Sequence, residues 1–265
     1  MHYLIAQLSD THVGGPHFEN GHQLSLAVDA INAMTVQPDL VLVTGDLTHE
    51  GSAEQWSEFS DRMNGLRSAW QAIAGNHDRS IAELAGHRTL DAGSLRLVLL
   101  DSSRDEFTAD DAAWLDSALS ECGDRATLIA IHHPPFETGI WWMDCLGLAG
   151  RELFETVVRR HTQVVKVLSG HVHRPIQTQW GSCSLWVCPS TAVAIALDLD
   201  PQHDPAESAE PPAFSLHAFT GSTFVSYVVP VGAEAERSSI GARAPEFVAE
   251  MRALQQQRRR RGPAT

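Results

Sequence analysis

Leu40-Val41-Leu42-Val43-Thr44-Gly45-Asp46 sets five strand-prone, uncharged residues in front of a glycine and a carboxylate. A run so short, without polar alternation, reads as a strand buried on both faces, the kind found in parallel sheets. Whatever follows such a run lies at the carboxyl end of its strand. The same construction recurs at residues 3–8, 69–74, 95–100, 127–131 and 164–168. Between these runs lie amphipathic stretches at 23–34, 53–65, 109–121 and 150–160, and Thr108-Ala109-Asp110-Asp111 opens one of them with an N-cap followed by acids. Strands alternating with helices predict a layered α/β fold.

After about residue 190 the texture changes. Residues 184–187, 192–197, 214–218 and 223–229 read as strands separated by turns, with 198–212, rich in Asp, Pro and Glu, as a surface loop. These late strands are expected to form a second sheet closing the same domain, residues 1–232. Residues 233–265 then hold a polar stretch, a helix near 245–257 and the run Arg258–Arg261, read as a solvated terminus rather than a nucleic-acid arm.

With 43% hydrophobic residues among 265, the chain can bury a core without disulfides or a structural metal. Its formal net charge of −14, with Lys166 as its single lysine, argues against binding a nucleic-acid polymer or an anionic membrane. Cys122, Cys145, Cys183 and Cys188 are scattered and form no CxxC pair, which fits a reducing compartment. Residues 1–10 lack a basic–apolar–cleavage pattern, and no run of about eighteen apolar residues exists, so the expectation is a soluble cytoplasmic protein.

The chemistry is written at the strand ends. They read Ser9-Asp10-Thr11-His12, Gly45-Asp46, Gly75-Asn76-His77-Asp78, His132-His133-Pro134 and Gly170-His171-Val172-His173. In α/β sheets the functional crevice lies beyond those ends. Asp10/His12 and His171/His173, each separated by one residue, project to the same side of an extended chain. Asp10, His12, Asp46, Asn76, His171, His173 and one of His132 and His133 give seven candidate ligands, too many for one first-row metal but suited to two sharing a carboxylate. Imidazole and oxygen donors without thiolate fit iron, manganese, zinc or cobalt rather than calcium.

In this order, Asp10-x-His12, Gly45-Asp46, Gly75-Asn76-His77-Asp78, His132 and Gly170-His171-x-His173 resemble the signature of the calcineurin-like metallophosphoesterases over residues 4 to about 230. Asp101-Ser102-Ser103, His132-His133-Pro134-Pro135, Trp142-Met143-Asp144 and Pro189-Ser190-Thr191 look like the class III cyclic nucleotide phosphodiesterase branch, to which the glycerophosphodiesterases are close. The resemblance implies an α/β/β/α fold, a β-sandwich flanked by helices. It implies that Asp10, His12, Asp46 and His173 hold one metal, usually iron. Asp46, Asn76, His132 and His171 would hold the other, often manganese or zinc, with Asp46 bridging. It selects His132 over His133 and makes His77 the residue that stabilises the transition state and protonates the leaving group. Asp78 becomes an orienting residue.

Paired metals would bind the phosphoryl oxygens and acidify a bridging water, whose hydroxide attacks in line with the leaving oxygen. The implied substrate is a small phosphodiester, foremost a 3′,5′-cyclic nucleotide such as cyclic AMP. A glycerophosphodiester or general diester is the alternative, and a non-catalytic scaffold of the same fold is the contrasting class. His49, three residues after Asp46, either reaches the phosphate or is a surface loop residue. Trp141 and Trp142 either stack on a nucleobase or make a lid or dimer contact, and Asp144 either meets a ribose or caps a turn. Ala192-Val193 stands where the glycerophosphodiesterases tend to place a histidine, which tilts the reading towards a cyclic nucleotide. The resemblance also implies a homodimer. Of the remaining histidines, His17 and His22 could border the cleft and His217 reads as a satisfied core residue.

Overall fold

The computed structural model describes residues 3–16, 19–232 and 240–261, without the side chains of 241 and 258–261. His2, His17 and the side chains of the Arg258–Arg261 run therefore lie outside the described residues. Strand β1 (Tyr3–Leu8), helix α1 (Asn20–Asn32), strand β2 (Leu40–Thr44), helix α2 (Ala53–Met63) and strand β3 (Trp70–Ile73) form the first half. β1, β2 and β3 pair in parallel, as their unbroken apolar runs require. The second half begins with β4 (Arg88–Ala92) and β5 (Leu95–Leu99), an antiparallel pair. It continues through α3 (Ala109–Glu121), β6 (Thr127–Ala130), α4 (Trp141–Cys145), α5 (Arg151–Arg160), β7 (Val164–Ser169), β8 (Ile176–Trp180) and β9 (Cys183–Val187). The short strands β10 (Ala194–Ile195) and β11 (Glu207–Ser208) pair with each other, followed by β12 (Ala213–Phe219) and β13 (Phe224–Pro230).

Two sheets result, in the orders β13-β12-β1-β2-β3 and β4-β5-β6-β7-β9-β8. Their membership corrects the expectation that the late strands form a sheet of their own. β12 instead lies antiparallel to β1 and, with β13, extends the first sheet, whereas β9 joins β7 in the second. β4 and β8 carry no unbroken apolar run, because both are edge strands with half-buried faces.

Ile5, Leu42 and Ile73 from the first sheet meet Leu97, Leu128 and Leu168 from the second in one buried cluster. Burying each such side chain is worth about 1.5–3 kcal/mol, and this inner layer binds the two sheets face to face. α1 and α2 cover the outer side of the first sheet through Leu24, Ile31, Phe59 and Met63. α3 and α5 cover the second through Leu115, Leu119, Phe154 and Val157. The layers therefore run α/β/β/α.

Helix α3 starts at the expected cap. Asp111 N donates to Thr108 Oγ1 (3.2 Å) and Thr108 N donates to Asp111 Oδ2 (2.7 Å), a reciprocal pair that satisfies two otherwise orphaned amides. A first compact unit ends at Gly232, and a second holds α6 (Ile240–Arg243) and α7 (Pro245–Arg261). Among the described residues, no helix is long and apolar enough to cross a membrane.

Candidate metal centre

The carboxyl ends of β1, β2, β3, β6 and β7 meet at one edge of the sandwich, and the loops leaving them interlock through the backbone. Asp10 N donates to Gly45 O and His12 N to Asp46 O, each at 3.0 Å, while Gly170 N donates to His132 O at 2.9 Å. Glycine is required where these loops cross. At Gly45, held at φ +94°, an added Cβ would strike the His132 ring; at Gly170 it would overlap Ser9 Oγ and come within 2.7 Å of Asp10 Oδ2.

Asp10, His12, Asp46, His171 and His173 sit in the left-handed region, at φ 53°, 42°, 50°, 70° and 54°. These are five of the six non-glycine residues with positive φ among the described residues, the other being Asp105. This corrects the picture of side chains alternating along an extended chain. The pairs Asp10/His12 and His171/His173 converge because left-handed turns bend their backbones inward. Each such residue costs of order 1–3 kcal/mol, a strain concentrated here and not in the surrounding sheets.

The histidine rings are oriented from behind. His132 Nδ1 donates to Thr44 O (2.7 Å) and His173 Nδ1 donates to Val193 O (2.7 Å), so Nε2 is the nitrogen each ring turns inward. What those nitrogens face is carboxylate oxygen and further imidazole. His132 Nε2 is 3.3 Å from Asp46 Oδ2, His173 Nε2 is 3.5 Å from Asp10 Oδ1, and His12 Nε2 is 3.7 Å from Asp46 Oδ2 and 3.2 Å from His173 Nε2. His132 Nε2, His171 Nε2 and Asn76 Oδ1 are buried without a hydrogen-bond partner, the first misaligned with its carboxylate.

In a buried site a carboxylate and an inward imidazole nitrogen need a proton or a metal cation between them. Among the described residues, the ion-pair partners of Asp10 and Asp46 are histidines, with no Arg or Lys in reach. Burial pulls the His132 pKa down, but Asp46 and Asp10 outweigh it and push it up to about 9. Burial would raise Asp46, yet His132, His12 and His77 hold it well below the usual carboxylate range. Asp10 is raised, chiefly by burial. Ligand atoms of Asp10, Asp46 and His132 lie mutually within 4.8 Å, as do those of Asp10, His12 and His173, so the two groups share Asp10. The donor set fits first-row divalent or trivalent metals.

His133 turns to other partners, with Nδ1 3.0 Å from Ser102 Oγ and Nε2 3.1 Å from Asp105 Oδ1, although its ring centroid lies 4.5 Å from that of His171, tilted by 47°. Asp78 accepts from Leu47 N, Thr48 N and Gly75 N, each at 3.0 Å, and so ties the Asp46 loop to the Asn76 loop. His77 N donates to Asp46 Oδ1 (3.0 Å) and His77 Nδ1 donates to His49 O (2.6 Å), which leaves Nε2 as the ring's open nitrogen.

A cavity opens over the cluster, bordered by His12, Asp46, Asn76, His171 and His173 below and by His49, His77 and Trp142 at its wall. Its rim includes Met143 from α4 and residues no motif announced: Asn20 from α1, and Ile195 and Glu207 from the β10–β11 pair. Nothing in their local pattern marks them, because their convergence depends on how the late loops fold over the site. Trp141, 36% exposed, is not among the lining residues. Asp144 accepts from Thr138 N (2.7 Å) and Gly139 N (2.8 Å) and so caps the turn before α4. His22 is exposed, while His217 is fully buried and bonded at both ring nitrogens.

Comparison with known proteins agrees with this geometry. The profile of the calcineurin-like phosphoesterase family matches residues 3–175. The 3′,5′-cyclic adenosine monophosphate phosphodiesterase CpdA of Pseudomonas aeruginosa is 30% identical over 73% of this chain and 78% of its own. The glycerophosphodiester phosphodiesterase GpdQ of Enterobacter lignolyticus is 27% identical over 84% of this chain and 90% of its own. Among solved structures, a dimetal phosphatase from Danio rerio superposes with a TM-score of 0.62 at 13% identity, covering 87% of this chain and 99% of that one, a likeness of fold.

Proposed function

The chain belongs to the calcineurin-like phosphoesterase family, and from that premise we propose that it is a binuclear metal-dependent phosphodiesterase acting on 3′,5′-cyclic nucleotides. The observation that carries the metal reading is the convergence of buried imidazole nitrogens on carboxylates, with His132 Nε2 3.3 Å from Asp46 Oδ2 and His173 Nε2 3.5 Å from Asp10 Oδ1 and, among the described residues, no Arg or Lys paired with either carboxylate. Asp10, His12, Asp46 and His173 would hold one ion, and Asp46, Asn76, His132 and His171 the other. Iron with manganese is the favoured pair, and zinc or cobalt suit the same donors. Two such ions, when bound, supply Lewis acidity to the phosphoryl oxygens and to the attacking water.

The chain's own groups do the rest. His77 Nδ1–H is committed to the His49 carbonyl, so a proton for the leaving oxygen would come from Nε2 of the doubly protonated ring, which returns to the neutral tautomer with its hydrogen on Nδ1. The His49 ring lies beside it, centroids 5.3 Å apart, at the wall where a phosphoryl oxygen would rest. Trp142 and Met143 give the cavity an apolar side able to take a flat base, and Val193 lines it after Thr191, where a polar contact to a glycerol would need a different side chain.

A glycerophosphodiester is the second reading, favoured by the polar Asn20 and Glu207 on the rim and by the similarity to the Enterobacter enzyme. Steady-state kinetics of cyclic AMP, cyclic GMP and a glycerophosphodiester after manganese reconstitution separate the two. The larger kcat/KM is expected for a cyclic nucleotide, and turnover of the glycerophosphodiester alone would transfer the assignment. Stacking on Trp142 is testable in the same assay. Base–aromatic stacking is worth about 1–3 kcal/mol, so Trp142→Ala should raise KM for cyclic AMP by about tenfold with little change for the glycerophosphodiester. An unchanged KM would remove Trp142 from the base site.

A further inference from the structure

Beneath the metal centre, between the two sheets, lies a polar side chain with no evident part in the chemistry. Gln7, on β1, is fully buried. Its Nε2 donates to Thr44 Oγ1 at 2.8 Å and to Ser169 O at 2.9 Å. Thr44 is the last residue of β2, in the first sheet, and Ser169 the last of β7, in the second. One amide thus joins the ends of the strands that carry Asp46 and His171/His173, and itself stands three residues before Asp10.

Its orientation is fixed by elimination. Ser169 O is a carbonyl and can only accept, so the Gln7 atom facing it is the nitrogen, and both its hydrogens are used. The remaining atom, Oε1, must accept, and it lies 2.9 Å from His217 Nε2. His217 is also fully buried, and burial, reinforced by Lys166, holds its pKa well below the ordinary histidine value. The ring therefore carries one proton, on Nε2, and Nδ1 accepts from Ser226 Oγ at 2.8 Å. At the other end, Thr44 Oγ1 donates to Ser9 Oγ (2.9 Å), and the Thr44 carbonyl is the acceptor that orients His132. Turning the Gln7 amide over would set two acceptors against each other at Ser169, and His217 is the donor that opposes this.

We propose that Gln7, held by His217, is a positioning clamp that sets the spacing between the Asp10/Asp46 half of the metal centre on one sheet and the His132/His171/His173 half on the other. The clamp rests on the metal reading above, and neither residue touches substrate. Partners that orient metal ligands through their hydrogen bonds typically govern metal affinity by about 10- to 100-fold.

Isothermal titration calorimetry of metal-stripped protein with Mn²⁺, below the melting temperature of each variant, tests it. His217→Leu, which removes the donor to Gln7, is expected to weaken Mn²⁺ binding by at least about tenfold in protein that circular dichroism shows to be folded. His217→Gln, whose amide can still donate to Gln7 Oε1, should stay within about threefold of wild type. A purely structural role would lower apo stability in both variants and leave affinity alone. Wild-type affinity in His217→Leu, or an equal loss in both variants, overturns the clamp. Should His217→Leu not fold, Thr44→Val decides: a tenfold loss supports the proposal and unchanged affinity overturns it. Wild-type protein that takes up no Mn²⁺ overturns the metal reading along with the clamp, whereas normal uptake with unaffected variants overturns the clamp alone.

Discussion

Asp46→Ala is expected to lower kcat/KM for bis(p-nitrophenyl) phosphate by about 10³-fold or more, the largest loss of any single substitution in the chain. Lewis-acid stabilisation by a bound metal is worth several kcal/mol, and each 1.36 kcal/mol is a factor of ten in rate. On the proposed assignment, Asp46 would be a ligand to both metals. Its Oδ2 lies 3.3 Å from His132 Nε2 and 3.7 Å from His12 Nε2, its Oδ1 accepts the His77 amide at 3.0 Å, and its own backbone is held at φ 50°. Asp46→Asn keeps the shape and the acceptor for His77 N but loses the charge, so it should bind less metal and retain little activity. Kinetics paired with atomic-emission metal content checks both variants. Near-normal turnover with two metals per chain in Asp46→Ala would refute the bridging role.

His77→Ala should behave differently, keeping both metals while kcat falls by about 10²-fold or more. The distinction follows from what each ring nitrogen touches. His77 reaches the metal loops through its backbone amide, which alanine retains, and its Nδ1 is spent on the His49 carbonyl. His77 lines the cavity with Asp46 and His12, where a leaving oxygen would need a proton. The loss should shrink for substrates whose leaving group is already acidic, such as a p-nitrophenyl diester, and be largest for an alkoxide leaving group, because general-acid assistance matters most when the departing anion is basic. Loss of metal in His77→Ala, or equal effects on both substrates, would move this residue from proton donor to scaffold.

Much of the site was legible in sequence for a physical reason. Parallel strands buried on both faces must be continuously apolar, so the residue after each run, such as Gly45-Asp46 or Gly170-His171, announces where a strand stops and polar chemistry begins. The glycines mark loops crossing too closely for a Cβ. The left-handed turns at Asp10, His12, Asp46, His171 and His173 carry no sequence mark of their own, since Asp and His tolerate that conformation without requiring it. The partition of strands between two sheets was not legible either. Arg88–Ala92 and Ile176–Trp180 lack an apolar run because they are edge strands, and nothing local tells Ala213–Phe219 to pair with β1 across 200 residues of chain. For the same reason the cavity wall contributed by Asn20, Ile195 and Glu207 emerged only from the fold. Gln7 illustrates the limit well: inside a strand run it reads as an intrusion, and its purpose is visible only once Thr44, Ser169 and His217 surround it.

On the proposed function, seven converging side chains hold a pair of metal ions on which diester hydrolysis depends. Titrating metal-stripped protein with Mn²⁺ while following bis(p-nitrophenyl) phosphate turnover tests it most directly. The expected result is negligible activity at zero metal, rising to a plateau near two equivalents per chain. Full activity in chelator-treated, metal-free protein, or a plateau reached without metal uptake, would contradict it.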